Sequence, residues 1–244
     1  MKERSKIPVR NPTTAKGGAV ARSSASEISS FLNQAKSAAN GAKGRVVLAL
    51  DATMSRQPTW DMACHIQAEM FKAVSKSTPL SMQLVYFRGS GECRASRWVR
   101  SGDDLATMMS KIDCRAGHTQ INKVLKHAID ENANLPINAL VYIGDAMEEN
   151  PDDLGHAAAQ LGMRKVPVFV FQEGHNNLAE ATFKEVARLS SGGWFRFDRN
   201  APNVLKDLLS SIAIYATGGI KALQLRGARS DKLLLEKLSG GRRS

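Results

Sequence analysis

Apolar residues occur along this chain in two rhythms. Short unbroken runs fill residues 46–50 (Val-Val-Leu-Ala-Leu), 139–143 (Ala-Leu-Val-Tyr-Ile) and 166–171. Runs of that length suit strands buried on both faces. Residues 81–87 and 194–197 read as further strands, and 93–99 as a short one after a turn marked by Gly89 and Gly91. Between them, apolar positions recur every three or four residues, which predicts helices over 58–74, 121–132, 151–161, 178–189 and 204–215. Asn150 and Pro151 stand where an N-cap and first helical residue belong, and Gly192-Gly193 closes the helix over 178–189. Strand–helix alternation predicts an α/β fold: an open, mostly parallel, Rossmann-like sheet with helices on both faces. Such sheets bind ligands beyond the carboxyl ends of their strands, where strand order reverses. No internal repeat is visible.

The ends behave differently from this body. Residues 1–23 show no apolar period and read as disordered. Ser24 and Glu27 have capping-box spacing, and Ile28, Phe31, Leu32 and Ala35 share one helical face, so 24–39 reads as a short amphipathic helix. The organisation expected is a basic arm over 1–44, a body over 45–217 and a basic tail over 218–244. In the tail, Ser230 caps a helix over 231–238 that carries Leu233, Leu234, Leu235 and Leu238. Packing back onto the body is its plainest use, and docking to another subunit or protein is the alternative.

Charge sharpens that division. The net charge is +11. Residues 1–44 contribute +6, residues 221–244 contribute +5, and residues 45–220 hold 19 basic and 19 acidic side chains. A neutral body with basic ends argues against a positively charged groove on the domain, while the ends offer contacts to nucleic acid, acidic lipid or an acidic protein. No run of about 18 apolar residues predicts a membrane span, and no apolar stretch behind the charged N-terminus predicts a secretory signal. Cys64, Cys93 and Cys114 are too scattered for a disulfide framework, which favours reduced thiols and a cytoplasmic location.

Candidate chemistry gathers after the strands. Asp51-Ala52-Thr53-Met54-Ser55 follows the first strand, and alternate spacing turns Asp51, Thr53 and Ser55 to one side. Gly144-Asp145 follows the strand over 139–143, and Gly117-His118-Thr119 precedes a helix between the two. Three loops thus offer oxygen ligands only, a set suited to a hard cation that keeps some water, Mg²⁺ or Mn²⁺. Asp and Ser at such places also cap helices without any metal. Three motifs in this order after these elements are the better argument for a site.

An Asp-x-Thr-x-Ser after strand one, a Thr in a Gly-containing loop and an Asp after a later buried strand resemble the von Willebrand factor type A domain. The resemblance covers roughly residues 45–215. It implies a three-layer sandwich with a metal-ion-dependent adhesion site. It also implies direct ligation by Thr53, Ser55 and Thr119, with Asp51 and Asp145 acting through water. An acidic residue of a partner protein would complete the coordination. Intracellular members imply work in multiprotein assemblies, often with an AAA+ ATPase. Two departures stand out: Thr53 replaces the usual Ser, and Gly144-Asp145-Ala146 replaces the frequent Thr-Asp-Gly.

Other candidates have simpler explanations. Asp152 and Asp153 in the acidic run with Glu148 and Glu149 suit the first turn of a helix. His118 reads as an exposed loop residue, His65 has no Cys or His at zinc-ligand spacing nearby, and His127 and His156 fall on predicted helices and need no special role. No nucleophile elbow, Cys–His pair or phosphate-binding Gly-rich loop is visible. The leading expectation is a non-enzymatic protein-interaction module. The rivals are a metal-dependent hydrolase on a similar sheet and a nucleic-acid-binding protein acting through its basic ends.

Overall fold

The computed structural model describes residues 44–56, 80–197 and 202–240. The arm and the helices expected over 24–39 and 58–74 lie outside these residues. Among the described residues, six strands form one sheet in the order β3-β2-β1-β4-β5-β6. They are β1 (Gly44–Asp51), β2 (Leu80–Arg88), β3 (Glu92–Ala95), β4 (Ala139–Gly144), β5 (Val168–Glu173) and β6 (Gly193–Phe197). Only β3, at one edge, is antiparallel. The helices are α1 (Gly102–Met109), α2 (Ile121–Asn134), α3 (Pro151–Met163), α4 (Asn177–Leu189), α5 (Pro202–Arg226) and α6 (Arg229–Gly240).

The unbroken apolar strands have two buried faces because helices cover both. Val46, Leu48 and Leu50 point into a layer with Leu105 and Met109 of α1, Leu208 and Ile212 of α5, and Leu234 and Leu238 of α6. Val47 and Ala49 point the other way, against Val124 of α2, Leu154 and Leu161 of α3, and Phe183 of α4. Each such aliphatic side chain contributes about 1.5–3 kcal/mol on burial, so this α/β three-layer sandwich holds its strand ends on a stiff frame.

Several elements depart from the pattern read in the sequence. Helix α1 was not expected. Ser101 caps it, accepting from the amides of Asp103 and Asp104, and Leu105 and Met109 bury one turn apart. The third strand ends at Ala95 and not at Val99. Ser96 turns inward, its Oγ accepting from Leu84 N at 3.0 Å, and Val99 makes only an isolated bridge to Met82. Helix α5 continues past residue 215 to Arg226, with a break at Gly219, whose φ of 65° favours glycine. By length and composition alone its segment Asn203–Arg226 could cross a bilayer. Its apolar stripe, Leu205, Leu209, Ile212 and Ala216, is buried in the core instead.

Candidate metal centre

The chain runs outward from β1 to β2 and β3, then crosses to β4, β5 and β6. Strand order therefore reverses between β1 and β4, and the carboxyl ends at such a reversal are where open α/β sheets bind ligands. Asp51 is the last residue of β1, and Asp145 directly follows β4. The fold alone brings these two carboxylates to neighbouring strand ends.

Local geometry supplies the hydroxyls. Asp51 Oδ1 accepts from Thr53 N at 2.8 Å, which folds the chain back on itself. A short 3-10 turn over Met54–Arg56 follows, and Thr53 Oγ1 and Ser55 Oγ lie 3.1 Å apart. Thr53 bridges to Arg115, and Arg115 N donates to Ala52 O at 3.0 Å, stitching the third loop alongside the first. Gly117 is needed there, since a Cβ would sit 2.1 Å from the Gly89 carbonyl oxygen. That close approach delivers Thr119 to the same edge. Thr119 Oγ1 accepts from Glu148 N, and Thr119 N donates to Glu148 Oε2, both at 3.1 Å. Asp51, Thr53 and Thr119 are buried, Asp145 is half-buried, and Ser55 is exposed.

The electrostatics are unusual for a resting core. Asp51 Oδ2 and Asp145 Oδ1 are both buried and, among the described residues, have no hydrogen-bond partner. Such an oxygen ordinarily costs about 1–3 kcal/mol, more when charged. Burial, with the nearby charge of Asp145, pushes the Asp51 carboxyl up to about 6, although hydrogen bonds from Thr53 and the charge of Arg56 pull it down. Two coupled carboxylates with orphan oxygens, beside three hydroxyls, fit a hard divalent cation. Among the described residues, no three His, Cys, Asp or Glu side chains lie together as a metal-ligand group, so an ion here would rest on the two aspartates and the hydroxyls.

Arg56, Glu173 and Tyr142 go unread in the sequence, and Glu148 and Glu149 read only as part of an acidic run. Arg56 is 1% exposed and pairs with the buried Glu173 at the end of β5. Its place after Ser55 looks like an ordinary surface position, and its partner is 117 residues away in the chain. Burial lowers the Arg56 pKa, against the charges of Asp145 and Asp51. Glu148 and Glu149, assigned no role beyond an acidic run, tie the second loop to the third. Glu149 accepts from Ile121 N and Asn122 N at the start of α2, where Gln120 makes no side-chain cap. Glu148 also meets the exposed His118, whose Nδ1 is 3.1 Å away. Tyr142 places a buried, unpartnered hydroxyl against Gly144, where a Cβ would lie 2.2 Å from it. Asp152 and Asp153 occupy the first turn of α3, as expected.

No protein-family model matches the sequence, and no curated protein does. Solved structures do match. A von Willebrand factor type A protein from Catenulispora acidiphila superposes with a TM-score of 0.59 at 14% identity, over 72% of this chain and 43% of that one. The chain thus spans less than half the length of that protein. An aerotolerance-related membrane protein from Bacteroides fragilis gives 0.55 at 16% identity, over 70% and 98%. The SpRpn10 VWA domain gives 0.52 at 9% identity, over 67% and 94%. Identities this low speak to architecture alone, and they agree with the strand order and layering above: the chain has a von Willebrand factor type A-like fold.

Proposed function

We propose that this protein is an interaction module whose switch-point crevice binds one Mg²⁺ or Mn²⁺ ion and, through it, an acidic residue of a partner protein. The observation that carries the reading is the pair of buried, unpartnered oxygens, Asp51 Oδ2 and Asp145 Oδ1, on adjacent strand ends. Thr53, Ser55 and Thr119 would hold the ion directly, and Asp51 and Asp145 through water. The ion would supply positive charge to the two carboxylates and one position for an outside ligand. Exposed Ser55 and Met54 put the crevice within reach of another protein. The fold shared with the Rpn10 VWA domain supports a place in a multiprotein assembly, and the resemblance extends the proposal to an AAA+ ATPase as partner class and to the cytoplasm.

Affinity capture in Mg²⁺ and in EDTA, with wild type and Thr119→Ala, tests the reading. Partners held by wild type only in Mg²⁺ and lost from Thr119→Ala are expected. Capture that is indifferent to both EDTA and Thr119→Ala contradicts it.

A further inference from the structure

We infer that Arg56 is an internal counter-ion that sets how tightly the crevice holds its divalent cation. The inference rests on the metal-binding reading above and concerns the regulation of that site. Leu50 pairs with Ile143, and Gly144 pairs with Gln172. Asp51, Asp145 and Glu173 therefore end three adjacent strands along one edge. Neighbouring strands lie about 4.8 Å apart, so the ends of β1 and β5 are separated by about 10 Å. Arg56 starts from the loop after β1 and pairs with Glu173 of β5. Its guanidinium is also near enough to Asp145 and Asp51 for both charges to act on it.

Arg56 and Glu173 are 1% and 5% exposed, so solvent does little to screen this arrangement. Counted along the three strand ends, Asp51, Asp145 and Glu173 against one guanidinium leave two negative charges in surplus when all are ionised. A divalent ion neutralises that surplus, and a guanidinium this close weakens its hold. Without Arg56 the crevice would carry three negative charges and grip the ion more firmly. With Arg56, the site keeps an exchangeable ion whose binding a partner's carboxylate can complete. A purely structural role for Arg56 predicts the opposite sign, because loosening the crevice weakens ligation.

Calorimetry with Mg²⁺ on the full chain at near-neutral pH, for wild type, Arg56→Met, Glu173→Gln and the double variant, reads this charge balance. Arg56→Met is expected to bind about tenfold tighter and Glu173→Gln about tenfold weaker, with the double variant returning to within about threefold of wild type. Thermal unfolding with and without Mg²⁺ reports the same order without calorimetry. If Arg56→Met does not fold, weakening in Glu173→Gln and recovery in the double variant still sustain the inference. A wild type that binds, with no change in Glu173→Gln or with Arg56→Met equal or weaker, overturns it and leaves the metal reading intact. Binding by Arg56→Met but not by wild type sustains the Arg56 inference and rejects wild-type cation binding. No binding by any of the four overturns both.

Discussion

Two buried aspartates in this molecule have the same exposure and opposite chemistry. Asp51 and Asp231 are each 0% exposed. Asp231, in α6, accepts from Arg226 Nε at 2.8 Å, from Arg226 Nη2 and from Ala228 N at 2.9 Å. Burial pulls its carboxyl upward, and hydrogen bonds from Arg226, Ser211 and Ala228 outweigh burial and leave it below the ordinary value. Asp51 has one oxygen satisfied and the other without a partner, faces a second carboxylate, and is pushed up to about 6. The first is a completed joint that docks the C-terminal helix against α5. The second is an incomplete one, and what it lacks is a partner for its second oxygen. Burial alone therefore says little about the role of an acidic residue, and the tally of its partners says a good deal.

The largest expected effect lies at the completed joint. Arg226→Ala leaves Asp231 buried without its main partner and should cost about 3 kcal/mol, read from urea unfolding. A loss below about 1 kcal/mol would remove the distinction between the two aspartates. At the incomplete joint the sign reverses. Holding Asp51 ionised when its pKa has moved from 3.8 to about 6 costs on the order of 3 kcal/mol. In metal-free protein at neutral pH, Asp51→Asn should therefore stabilise the fold by up to that amount.

The pH dependence follows from the same shift. The folded-state pKa of Asp51 is raised, so the folded protein binds its proton more tightly than the unfolded chain does. That stabilisation is fully present below 3.8 and is lost as pH rises through about 6. Asp231 has a depressed pKa, so its contribution is present above the unfolded value and lost as pH falls. The gain from Asp51→Asn should accordingly appear between pH 3.8 and about 6 and stay level above that. A gain constant from acid to neutral pH would mean that Asp51 titrates normally. Smallest of all is Tyr142→Phe. Removing a buried hydroxyl with no partner among the described residues should raise metal-free stability by about 1 kcal/mol, and a loss would reveal a partner for that oxygen.

The sheet was largely legible because its evidence is local. The strands at 46–50 and 139–143 announce themselves as apolar runs, and the residues that follow them stand where an open sheet places its ligands. Helix α1 carries an equally local signal, Ser101 ahead of Asp103 and Asp104 with Leu105 and Met109 one turn apart, but only two apolar positions mark its period. The length of α5 was hidden by Thr217, Gly218 and Gly219, which read as an ending yet only break the helix. In the candidate site, Asp51, Thr53, Ser55, Thr119 and Asp145 could be named from motif order. Arg56, Glu173 and Glu148 could not, because their roles come from pairings set by strand order and loop packing. A buried guanidinium after Ser55 has the same letter as a solvated one.

The central claim is that the incomplete joint is a cation site. Calorimetric titration of Mg²⁺ into wild type and Asp145→Ala tests it most directly. One ion per chain bound by wild type, and binding at least about tenfold weaker in a folded Asp145→Ala protein, is the predicted result. Equal affinity in the two proteins, or no heat of binding in either, would contradict it.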